Sequence, residues 1–207
     1  MIKITQDQYE EIIFLTRCVY YDLPYPISLF NYKQSVSLIT GLRMNIFEMN
    51  DYNLVVICGT NTFRDWITDL RVGLRQIPKQ HQQALSHIIN LYKDMDIKKP
   101  LVIAGHSLGG SIAEYCASFF HDDVLCISFN GCPVNHLCKN KCSCNIINIA
   151  NQHDILNFLC KLLPTKYYMK HLSSIYYIPD KFTLNPIKSH CDFFNFMNFN
   201  FNERKPK

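Results

Sequence analysis

Residues 101–110 read Leu-Val-Ile-Ala-Gly-His-Ser-Leu-Gly-Gly. An apolar run of strand type stops at Gly105, and a serine stands two residues later in a glycine-rich turn. The residues that follow carry Leu108, Ile112, Tyr115, Cys116 and Phe119 at helical spacing, which predicts a helix starting at Ser107. Strand, tight turn and helix around Gly-x-Ser-x-Gly is the arrangement that lifts a serine hydroxyl above the end of a sheet. Its logic is steric. Strand and helix pass so closely at the turn that the residues two positions either side of the serine must be small. The helix N-terminus beneath also favours developing negative charge. A bend without chemistry is the competing reading; the flanking strand and helix, with the extra Gly110, favour a nucleophile at Ser107.

The rest of the chain continues the alternation. A helix fits 5–21 (Ile12, Ile13, Leu15, Val19), and two short strands fit within 35–48. NLVVICG (53–59) is a continuous apolar run of buried-strand type. A helix around 82–95 (Leu85, Ile88, Ile89, Tyr92) precedes the strand LVIAG. VLCISFNG (124–131), NIINIAN (145–151) and SIYYIP (174–179) are further strand candidates. The pattern predicts an α/β fold with a mostly parallel sheet covered by helices. No repeat or Gly/Ser/Pro linker divides the 207 residues, so 1–207 is expected to form a single domain. A chain of that size buries roughly 70 % of its unfolded surface.

Composition narrows the partners. With 48 % apolar and 18 % charged residues the chain is not of disordered type. A net charge of +4, spread along the sequence, predicts no nucleic-acid partner. No apolar run approaches the roughly 18–20 residues of a membrane-spanning helix. The start, MIKITQDQYEE, turns polar at once, so the expected location is intracellular and cytoplasmic. The heavy use of Asn, Ile, Lys, Tyr and Phe fits an AT-rich coding sequence of viral or parasite type. Of the ten cysteines, Cys58, Cys116 and Cys126 fall in apolar runs and read as small buried thiols. The cluster His136, Cys138, Cys142 and Cys144 offers zinc-ligating side chains, an alternative left open, but lacks the paired Cys-x-x-Cys rhythm of common zinc sites. Neither metal nor cofactor is expected.

A serine nucleophile needs a base, an acid and an oxyanion hole, in the chain order Ser, acid, His. His153, His171 and His190 lie late enough. His153 adjoins the best acid candidate, and His171 precedes the strand 174–179, at the wrong end of a parallel sheet. His190 follows that strand through a loop and is the expected general base. Asp154 stands just beyond the strand at 145–151, where acids of open sheets belong, and is favoured over Asp180. His106, next to the nucleophile, should point away from the catalytic face and serve the structure. The backbone N–H of Leu108 is one oxyanion donor, and Thr60, after the buried run 53–59, offers the other. Beyond it Phe63, Trp66, Ile67, Leu70 and Leu74 form an apolar stripe, read either as core packing or as a lid over an acyl pocket.

Five ordered segments, CGTNTFRDWITDL (58–70), VIAGHSLGGSIA (102–113), FNGCPVN (129–135), INIANQHDIL (147–156) and SHCDFF (189–194), together resemble the class 3 lipases, an α/β-hydrolase family. The resemblance implies a carboxylic ester hydrolase acting on lipids, with oxyanion donor and lid at Thr60 and Asp65-Trp66. It implies the nucleophile at Ser107, and it supports Asp154 as the acid and His190 as the base. The short connections imply a compact pocket suited to phospholipids, monoacyl lipids or short esters. Two other readings stand beside it: a catalytically silent copy of the fold that binds lipid or protein, and an acyltransferase or thioesterase with the same triad. The terminal FFNFMNFNFNERKPK reads either as a segment packed on the body or as a contact with an anionic membrane surface.

Overall fold

The computed structural model describes residues 2–24, 31–38, 40–58, 79–94, 99–120, 124–134, 137–138, 145–156, 172–179 and 186–200. The elements run α1 (Gln6–Tyr21), β1 (Asn31–Ser37), β2 (Arg43–Glu48), β3 (Asn53–Cys58), α2 (Lys79–Asp94), β4 (Leu101–His106) and α3 (Leu108–Ala117). They continue with β5 (Val124–Phe129), β6 (Asn145–Asn151), β7 (Ile175–Ile178), α4 (Pro186–His190) and α5 (Phe193–Met197). α1 starts at a capping box: Gln8 N–H donates to the Thr5 hydroxyl at 3.2 Å, and Thr5 N–H donates to the Gln8 side chain at 2.9 Å. Two of the four orphan donors of the helix end are thereby satisfied. α3 is shorter than its periodicity predicts. It stops at Ala117, and Phe119 lies beyond it, 52 % exposed, so the apolar stripe ends one turn early.

The described residues hold a seven-stranded sheet in the order β1-β2-β3-β4-β5-β6-β7. β1, β2 and β3 pair antiparallel, and β3 through β7 pair parallel. The central strands are buried on both faces, which is why they read as unbroken apolar runs. Their side chains divide between two cores. Leu54, Val56, Val102, Ala104, Leu125 and Ile127 meet α1 and α5 on one face. Val55, Ile57, Leu101, Ile103 and Cys126 meet α2 and α3 on the other. Cys58, Cys116 and Cys126 are buried free thiols. Phe193 and Phe196 of the aromatic C-terminal segment are buried in the first core, and the Tyr9 hydroxyl donates to the Phe196 carbonyl at 3.0 Å. Among the described residues no helix is long and apolar enough to cross a membrane.

The register brings Cys58, His106 and Phe129 level at the ends of β3, β4 and β5. Consequently the turns after these strands open on one sheet edge. The glycines around Ser107 are close-approach residues. A Cβ on Gly105 would land on the Gly109 carbonyl, and one on Gly110 would sit 2.8 Å from Ser128 Oγ and 3.1 Å from the Gly131 Cα. At Gly105 the obstacle is backbone, which a rotamer change cannot relieve. Gly105→Ala is therefore expected to push α3 off β4 and to cost about 3 kcal/mol, the upper range for overpacking. Urea unfolding of the variant checks this.

Candidate active site

β4 ends at His106 because Ser107 leaves the extended region: its φ is 57° and its ψ −124°. A positive φ on a non-glycine residue costs of order 1–3 kcal/mol and persists only where surrounding bonds enforce it. Those bonds are present. Ser107 N–H donates to the Phe129 carbonyl at 2.9 Å, and the Ser107 carbonyl accepts from Ser111 N–H at 3.1 Å, the first helical bond of α3. Leu108 N–H is the first of the α3 N-terminal donors, which have no carbonyl of their own helix to reach. The turn thus presents a buried hydroxyl beside the positive end of a helix dipole.

His190 closes α4 and faces that hydroxyl, its Nε2 lying 2.8 Å from Ser107 Oγ. On the other side of the ring, Nδ1 makes a short hydrogen bond to Asp154 Oδ2. Asp154 stands three residues after β6 and accepts a second bond at Oδ1, from Leu156 N–H at 2.9 Å. A carboxylate only accepts, so Nδ1 carries the ring proton and Nε2 offers a lone pair to Ser107. The three side chains are withdrawn from water, with Ser107 6 %, His190 0 % and Asp154 1 % exposed. The arrangement can take a proton from the serine and hold the resulting imidazolium against a buried carboxylate.

The structure therefore brings Ser107, His190 and Asp154 together, with Leu108 next to Ser107 at the start of α3. Thr60, Phe63, Trp66, Ile67 and Leu70 lie outside the described residues, as do Asp180, His171, His136, Cys142 and Cys144. Among the described residues no group of His, Cys, Asp or Glu has the geometry to hold a metal ion.

Sequence reasoning missed three buried polar residues. The Ser111 hydroxyl donates to the Cys132 carbonyl at 3.0 Å and accepts from Cys132 N–H at 2.7 Å, tying α3 to the loop after β5. Asn130 and Asn151, at the ends of β5 and β6, bond the backbone around His190. For the two asparagines the signal was available, since each is a polar residue at the end of an apolar strand and buried polar groups require partners; Ser111, inside α3, carries no such mark.

His106 is more involved than its expected structural role. Its ring lies 4.8 Å from that of His190 and 4.5 Å from Phe193, both centroid to centroid. Burial, reinforced by His190 nearby, pushes its pKa well below the ordinary 6.5, so the native ring stays neutral. In the unfolded chain it takes up a proton below pH 6.5. The unfolded state then binds more protons, and stability is lost as pH falls. Stability should be flat in this respect above the ordinary pKa and decline below it by up to about 1.4 kcal/mol per pH unit. Melting temperatures compared between about pH 7 and pH 5 check this, with a shallower decline expected in His106→Gln.

The sequence and the fold each have known counterparts. A family model described as "Phospholipase-like: Tle-like phospholipase domain" matches residues 28–132. The extracellular phospholipase A1 of Serratia liquefaciens is 28 % identical over 102 residues, 49 % of this chain. The match spans 31 % of that protein's length. The Rhizomucor miehei lipase in its propeptide complex superimposes with a TM-score of 0.61 at 14 % identity, covering 92 % of this chain and 76 % of that one. Lipase II of Rhizopus niveus gives 0.61 at 12 % identity, covering 86 % and 83 %. At such identities the likeness is one of fold, the α/β-hydrolase fold of a mostly parallel sheet between helices.

Proposed function

The chain belongs to the phospholipase-like family of Tle-like phospholipase domains, and from that premise we propose that it hydrolyses carboxylic ester bonds of phospholipids through an acyl-enzyme on Ser107. The observation that carries the reading is the buried contact chain from Ser107 Oγ through His190 to Asp154. The family match ends at residue 132, so Ser107 has support from both sequence and geometry. Asp154 and His190 are supported by geometry and by the late motifs INIANQHDIL and SHCDFF.

In the proposed cycle His190 Nε2 removes the Ser107 hydroxyl proton as Oγ attacks the ester carbonyl. The carbonyl π pair moves to oxygen, and the oxyanion is held by the Leu108 N–H and by the Thr60 backbone N–H. Collapse breaks the ester C–O bond, and the imidazolium returns its proton to the departing glycerol oxygen. Water, deprotonated by the same ring, then attacks the acyl-enzyme, releasing fatty acid and restoring Ser107. Asp154 stays ionised throughout, countering the imidazolium charge. Phe63, Trp66, Ile67 and Leu70 are the proposed cover for the acyl chain.

The test is a substrate panel of phospholipids, glycerides and p-nitrophenyl esters. Phospholipid turnover with release of free fatty acid is expected. Turnover of glycerides alone would replace the phospholipid assignment. Failure to hydrolyse any ester, with no labelling by a fluorophosphonate, would favour the lipid-binding alternative.

A further inference from the structure

α4 has five residues, too few to hold a helix by itself in water. Its last turn is bonded by Cys191 N–H to the Ile187 carbonyl at 3.1 Å and by Asp192 N–H to the Ser189 carbonyl at 3.3 Å. At its buried end the Ser189 and His190 carbonyls take further bonds from distant parts of the chain. Side chains from α1 and from the ends of β4, β5 and β6 supply bonds to this segment one after another. Asn151 Nδ2 donates to the Ser189 carbonyl at 2.6 Å and reaches the Asp192 carbonyl at 3.4 Å. The His190 carbonyl accepts two bonds, from Asn130 Nδ2 at 2.8 Å and from His106 Nε2 at 2.8 Å. The Tyr21 hydroxyl donates to the Cys191 carbonyl at 3.1 Å.

The origin of these donors distinguishes them from ordinary loop packing. His106 is the last residue of β4 and adjoins the nucleophile; Asn130 follows β5; Asn151 is the last residue of β6, three before the acid. Asn130 and Asn151 are also tied together, Asn151 N–H donating to Asn130 Oδ1 at 2.8 Å. Asn130 holds a left-handed φ of 46° to do so. Three neighbouring strands of the sheet thus end in polar side chains, each bonding the segment that carries His190. The strands that carry the nucleophile and the acid are therefore the ones that fix the base.

We propose that His106, Asn130 and Asn151 are positioning residues, a frame that fixes the His190 backbone so that Nε2 meets Ser107 and Nδ1 meets Asp154. The inference rests on His190 acting as the base in the proposed ester hydrolysis. A carbonyl can only accept, so His106 contributes as the neutral Nε2–H tautomer, consistent with its burial. A side chain that donates from the same place should substitute for it, and an apolar one should not.

The experiment compares kcat, KM and melting temperature for His106→Leu, His106→Gln and Asn130→Gly, with Ser107→Ala as reference. Glycine at 130 keeps the left-handed backbone without strain. It removes the donor and, independently of His106→Leu, keeps the test open should that variant not fold. The leucine and glycine variants are expected to lose about 10²-fold in kcat with KM within about threefold, the effect of misplacing a reacting group by about 1 Å. His106→Gln is expected to recover kcat to within about tenfold of the parent. Parental kcat in folded Asn130→Gly would overturn the frame and leave the triad standing. A glutamine variant as slow as the leucine one would also overturn it, since the donated bond would then not matter. Full hydrolysis in Ser107→Ala would remove the triad and the frame together.

Discussion

Ser107→Ala is expected to lower the turnover of a phospholipid or p-nitrophenyl ester by about 10⁶-fold, the loss that follows removal of a triad serine. The substitution removes one oxygen and changes little else. Alanine occupies the φ of 57° at the same cost as serine, because both carry a Cβ. The turn is held by backbone bonds to Phe129 and Ser111, which the variant keeps. Stability should therefore change by less than about 1 kcal/mol, so the kinetic loss reads the chemistry and not the fold. What remains is the residual rate that an oxyanion hole and substrate binding give without a nucleophile. Covalent labelling by a fluorophosphonate should vanish in the same variant. Retention of most esterase activity would show that another group makes the acyl-enzyme.

Asp154→Asn is the second large effect, expected at about 10⁴-fold in kcat, through the proton on His190 and not through shape. Asp154 uses both oxygens: Oδ1 accepts from Leu156 N–H, and Oδ2 faces His190 Nδ1. Asparagine has one acceptor oxygen. If that oxygen stays on Leu156 N–H, the amide NH₂ confronts His190 Nδ1, which must then accept. The ring proton moves to Nε2, and the lone pair that should take the Ser107 proton is gone. If the amide turns the other way, a buried N–H opposes the Leu156 N–H, a clash of donors costing about 1–3 kcal/mol. The first arrangement is the cheaper, so a folded, inactive protein is expected. Near-parental kcat in the folded variant would contradict this account; a low kcat with a melting temperature close to the parent's supports it.

The fold was legible because its signals are local. Mainly apolar runs bounded by polar residues marked β3, β4, β5 and β6, because these strands are buried along almost their whole length, with Ser128 and Asn148 as buried polar exceptions. Gly105, Ser107 and Gly109 marked the turn, since only small residues let α3 cross β4 so closely. Asp154 was legible from its place just after a strand. His190 was the survivor among three late histidines. The extent of α3 was read too long, because an apolar residue one turn past Ala117 continued the period although the helix had ended.

By itself, then, the sequence determined an alternating α/β chain, a strained serine between strand and helix, and an acid and a histidine in the order a hydrolase uses. These follow from spacing within a few residues, where backbone sterics and helical or strand period act directly. Only the tertiary structure decided how the histidine is held. The bonds from Asn130 and His106 to the His190 carbonyl span 60 and 84 positions of chain, and the bond from Asn151 to Ser189 spans 38. No periodicity reaches across such distances; parallel strand register does. It sets the ends of β4, β5 and β6 within two residues of one another at one sheet edge, and so gives three polar residues with no shared motif a single segment to hold.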